Sequence, residues 1–138
     1  MIGLGTWLYS SLSTDETLQA LVADRIYPQR RSSGAALPCI TYEVVSTTPT
    51  GVLAADTDSA AVHVQLDCWA TTYASASTLA DQLGAVVESL GAGTAGGWHF
   101  SQLRQLAHAE DSIPMDAVDG SDRAATRVRL EYLSIMRR

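Results

Sequence analysis

The sequence contains no lysine and no asparagine, and all nine of its basic residues are arginine. Without lysine there is no P-loop lysine to cradle a phosphate and no Schiff-base amine, and without asparagine there is no N-glycosylation acceptor. Cysteine is scarce. Cys39 and Cys68 each fall in an apolar, strand-like context and read as small buried side chains; disulfide frameworks belong to short secreted chains. A reducing, cytoplasmic setting is the expectation that follows. No apolar run approaches the roughly 18–20 residues needed to span a bilayer, and the opening MIGLGTWLYSSLS lacks the basic segment of a secretory signal. The formal net charge of −6 argues against free nucleic acid as the main partner, because phosphate binding wants a basic stripe.

What is present is an ordinary globular composition, 46% apolar and 17% charged over 138 residues. That length buries a core without disulfides or metal, and residues 1–138 are expected to form a single domain. The clearest pattern lies between Ala61 and Leu90. Val62, Val64, Leu66 and Cys68 alternate with His63, Gln65, Asp67 and Trp69, which is a strand with one apolar face. The period then changes to helical at Ala76, Leu79, Ala80, Leu83, Val86, Val87 and Leu90, with Thr72 as N-cap.

Upstream, Ile2, Leu4, Trp7, Leu8 and Leu12 have helical spacing. Ser13 and Glu16 form a capping box for a second short helix with Leu18, Leu21 and Val22, unless one helix is merely broken at Ser10–Thr14. Pro28 ends the helical region and QRRSSGAALP is a loop. Cys39–Ser46 reads as a strand, Trp98–Ala109 as another, and Ala124–Met136 as the last. Val128, Leu130 and Tyr132 there oppose Arg127, Arg129 and Glu131, which places that strand at or near a sheet edge. The predicted fold class is α+β. An antiparallel or mixed sheet of about four strands packs with an N-terminal helical segment and one central amphipathic helix, in the order α-(α)-β-β-α-β-β.

Catalytic patterns fit this framework poorly. Gly91-x-Gly93-x-x-Gly96, with Glu110 downstream, matches the dinucleotide fingerprint by letter, but a helix precedes it and a strand follows, the reverse of what the fingerprint needs. It reads as a flexible turn. His63 and Asp67 are about 13 Å apart along a strand, too far to share one ion. His99 and His108 lack zinc spacing. Pairing Cys39 or Cys68 with His63 has no flanking signature, and Cys68 is in phase with the apolar face. The loop acids Asp56, Asp58, Asp116, Asp119 and Asp122 lack an EF-hand's spacing. The expectation is no enzyme, no cofactor and no metal.

Three phrases in order carry a resemblance: LQALVADRIYP (Leu18–Pro28), LPCITYEVVS (Leu37–Ser46) and VHVQLDCWATTYASASTLADQL (Val62–Leu83), followed by a strand close to the last residues. Together the chain resembles the small tail-completion, or tail-terminator, proteins of siphophage-type phages and prophages. The resemblance implies a structural virion protein of the tail or neck, assembled in the host cytoplasm. It implies a ring, typically a homo-hexamer, that ends tail-tube polymerisation, contacts the tail tube protein and the head–tail connector protein, and lets DNA pass without sequence-specific binding. A neighbouring head–tail adaptor is the alternative; a small enzyme is a third reading.

Two stretches are longer than their connecting role requires, Thr47–Ala60 and the acidic Glu110–Arg123. They supply the expected contact residues: Thr48, Thr50, Val52, Leu53, Asp56 and Asp58 in the first, and Asp111, Met115, Asp116, Asp119, Asp122 and Arg123 in the second. Arg30 and Arg31 are added as partners for acidic loops of neighbours.

Overall fold

The computed structural model describes residues 2–29, 36–49, 59–113 and 125–137. Its elements run α1 (Ile2–Ser13), α2 (Glu16–Val22), β1 (Ile26–Pro28), β2 (Cys39–Pro49), β3 (Ser59–Ala70), α3 (Tyr73–Ser89), β4 (Gly93–Ala95), β5 (Trp98–Phe100), β6 (Arg104–Ile113) and β7 (Ala125–Arg137). The α+β class holds, with seven strands among the described residues where about four were expected.

The extra strands are short and came from stretches read as turns. Ile26–Pro28 pairs in parallel with Ile40–Tyr42, an arrangement without local periodicity to announce it. The glycine-rich turn contains β4, which forms a hairpin with β5 across Gly96 and Gly97. Both glycines have positive φ, 59° and 80°, which the tight two-residue connection needs. Gly93 is required for another reason. A Cβ there would overlap the indole of Trp7, which stacks on Phe100 with ring centroids 5.5 Å apart. The single predicted strand Trp98–Ala109 is therefore two, β5 and β6, separated by Ser101–Leu103.

The sheet order is β1-β2-β3-β7-β5-β4, with β6 also on β7 beside β5. The last strand is thus not itself an edge but lies one strand in from the β6 rim, paired on both sides. It pairs with β3 from Thr126 to Arg137 on one side and with β5 and β6 on the other. Arg127 and Arg129 are accommodated inside the sheet because each meets a partner directly across the ladder, described below.

One sheet face is apolar. Val62, Val64, Leu66 and Cys68 of β3 and Val128, Leu130, Tyr132 and Met136 of β7 are buried there, and α3 packs against both strands. Leu4, Leu8 and Leu12, one helical turn apart, are fully buried from α1. The Thr72 hydroxyl accepts from Ser75 N–H at 3.2 Å, so that cap forms as expected. The other helix start differs: Asp15, not Ser13, caps α2, accepting from Leu18 N–H at 2.9 Å. Ser13 remains in the last turn of α1, so the helices are separate.

Candidate assembly surfaces

The sheet face opposite the helices is polar and built of cross-strand pairs. Asp67 lies opposite Arg129, and Nε and Nη2 of the guanidinium donate to its two oxygens at 2.9 and 3.3 Å. The Asp67 carboxylate is nearly sealed from solvent, which a charge tolerates only when paired and hydrogen-bonded. One rung along, Trp69 lies opposite Arg127, whose guanidinium sits over the indole at 5.6 Å, while Trp69 Nε1–H donates to Thr41 Oγ1 at 3.0 Å. His63 Nε2 is 3.3 Å from Glu131 Oε1 without making a hydrogen bond. Arginines and acids alternate, so this face offers no continuous basic stripe.

His63 and Cys68 point to opposite faces of β3, so the sheet does not bring that pair together. The Cys68 thiol is pushed far up by burial first, then by Asp67 and Cys39, which keeps it protonated. Tyr132 is raised to about 12 by burial, then by Glu88 and Cys68. Tyr42 is raised by burial and then by the nearby Tyr9. Among the described residues no three of His, Cys, Asp and Glu gather as a metal cluster.

The two rims differ from both faces. On β2, strand β1 covers the edge only as far as Tyr42, whose carbonyl accepts from Gln29 N–H at 2.7 Å. Gln29 has a φ of 66°, which marks the turn where β1 stops. Beyond that point an open groove of about 590 Å³ follows the rim, lined by Gly5, Thr6 and Tyr42–Thr47. On the opposite rim, among the described residues, β6 pairs only with β7. Tyr73 Oη donates to Glu110 Oε1 at 3.3 Å, and His108 Nε2 lies 3.2 Å from the same oxygen, tying this rim to the start of α3.

Each rim strand has one irregularity. In β2, Val44 and Val45 stand against the single Val64; in β6, Gln105 and Leu106 stand against the single Tyr132. Val45 is 47% exposed and Leu106 is 48% exposed, the most open large aliphatic side chains on the described surface. Sequence reading missed both. The legible trace was the Val44-Val45 doublet interrupting the alternation.

The expected contact loops are shorter than the sequence suggested. Thr47, Thr48 and Pro49 continue β2 and pair with Val62, Ala61 and Ala60; Thr48 is exposed in that strand. Glu110–Ile113 likewise continue β6, with Asp111 opposite Arg127. Thr50, Val52, Leu53, Asp56 and Asp58 lie outside the described residues. So do Met115, Asp116, Asp119, Asp122, Arg123, Arg30 and Arg31. The strand ends that bound the two stretches are placed, however. Ser59 lies opposite Arg137 and Ala70 opposite Thr126, so the β2–β3 connection leaves one end of the sheet and the β6–β7 connection leaves the other.

The family described as Tail completion protein gp17 matches residues 6–111, most of the chain. A chain from the structure described as "Virion of native gene transfer agent (GTA) particle" has a similar fold, with a TM-score of 0.70. The identity is 14%, covering 99% of this chain and 96% of that one. No curated protein matches. This chain belongs to the tail completion family and is a structural, tail-related protein.

Proposed function

We propose that the chain is the subunit of a ring, typically six copies, that ends tail-tube polymerisation and joins the tail to the head connector. Family membership supplies the tail role. The observation carrying the finer reading is the exit of the two long connections from opposite ends of one sheet. A subunit placed between a tube and a connector needs two axial contact regions, and the strand ends that precede and follow these two stretches lie at opposite ends of the sheet. The proposed contacts are those expected above: the Thr48–Asp58 stretch at one end, the Asp111–Arg123 stretch at the other, and Arg30 and Arg31 beside them. The polar face of cross-strand pairs suits a wall past which DNA slides, because Arg129 and Arg127 are already engaged by Asp67 and Trp69.

The test is to add purified protein to polymerising tail tube protein and measure tube length by electron microscopy. Short tubes capped at one end are expected. Unchanged tube growth, with binding to the portal complex instead, would replace the terminator by the head–tail adaptor reading.

A further inference from the structure

The two bulges share one rung of the sheet. Val44-Val45 oppose Val64, Val64 pairs with Tyr132, and Tyr132 opposes Gln105-Leu106. The two most exposed large aliphatic side chains therefore stand at the opposite ends of a single row across four strands, about 14 Å long.

We infer that copies of this chain join head to tail along this row, the β2 rim of one copy receiving the β6 rim of the next, with Val45 packed against Leu106. This rests on the ring reading and names the surface through which the ring closes. Three features point to a second copy as the occupant. Direction is the first: β2, β3, β7 and β6 are successively antiparallel, so a like-oriented neighbour continues the alternation across the boundary. Register is the second. Bulges ordinarily discourage edge pairing, but here each rim carries the same single extra residue. Ladder alternation turns the main-chain groups of Val44 and Thr47 outward on β2, and those of Gln105 and His108 outward on β6. Both pairs are spaced by three, so an antiparallel match accommodates one bulge against the other. Limits are the third. The open part of β2 is bounded by β1 at Tyr42 and by Pro49, which has no N–H, leaving a window as short as the bulged stretch it would receive. A contact between two different rims is heterologous, and such contacts close into rings when the rotation permits.

The experiment compares wild type, Val45→Asp and Leu106→Asp by light scattering across a concentration range, with thermal melts confirming that each variant folds. Wild type is expected above the mass of one chain, 14.7 kDa, and each variant at that mass. An equimolar mixture of the two variants retains one intact rim pair per couple, so it should give two-chain species that grow no further. Variants that still form the wild-type assembly, or a mixture that stays monomeric, would overturn the inference while leaving the ring reading intact. Wild type at one-chain mass at every concentration would also overturn it as a self-pairing surface. The tube-capping assay then decides the ring reading separately: failure of wild type to cap sinks that reading, whereas capping by both wild type and Val45→Asp sinks only the rim contact.

Discussion

The two faces of the β3–β7 pair are built by different physics from the same alternating strands. Toward the helices, Leu66 and Leu130 oppose each other in an apolar layer, and stability there comes from area removed from water. On the reverse face Asp67 and Arg129 oppose each other, and burial is tolerated because the charges satisfy one another. The lesson is that alternation with charges on one side does not mark an edge strand. It marks a face, and a charged face can lie inside the sheet when the facing strand supplies the counter-charge in register.

Substitutions on either face test that contrast. Leu66→Ala removes a fully buried side chain between two strands and a helix layer; a loss of about 3 kcal/mol is expected in denaturant titration. Arg129→Ala removes the counter-charge of Asp67, to which Gln65 Nε2 still donates at 3.2 Å, and should cost roughly 2 kcal/mol, the partial exposure of Arg129 screening some of the effect. The double change Asp67→Leu with Arg129→Met should cost less than Arg129→Ala alone; if it costs more, the pair is a net source of stability and not a satisfied burial. Gly93→Ala, outside both faces, forces the Trp7 indole to move and should destabilise by about 1–3 kcal/mol.

The alkaline limb tests the apolar face in another way. Folding raises the Tyr132 phenol from 10.0 to about 12, so stability is intact below pH 10 and falls as pH climbs through 12, where the unfolded chain ionises first. The Cys68 thiol acts in the same direction. Tyr132→Phe should therefore reduce, without abolishing, the drop in denaturation midpoint between pH 9 and pH 11.5. The smallest effect on the single chain belongs to the rim: Val45→Asp should shift its stability by less than about 0.5 kcal/mol. A large loss there would mean that Val45 belongs to the core of one chain.

The central helix was legible because its apolar spacing and its Thr72 cap are local, and the β3 face was legible because period 2 is local as well. Asp15 replaced Ser13 as a cap because two competent side chains stood within one turn, and only the path of α1 through Ser13 decides between them. The contact loops were overdrawn for a similar reason. Thr47–Pro49 and Glu110–Ile113 have loop composition yet are held in strands by Ala60–Val62 and by Ala125–Val128, pairings made across a long connection.

The α+β class, the apolar face of β3, the amphipathic α3 and the family were all readable along the chain, because periodicity, capping and characteristic phrases are written within short stretches. Only the tertiary structure decided that the last strand is paired on both sides, that Gly93 admits Trp7, and that Val45 and Leu106 share one rung at opposite rims. Each of these depends on which residues meet across strands distant in the chain, and no local pattern encodes that register.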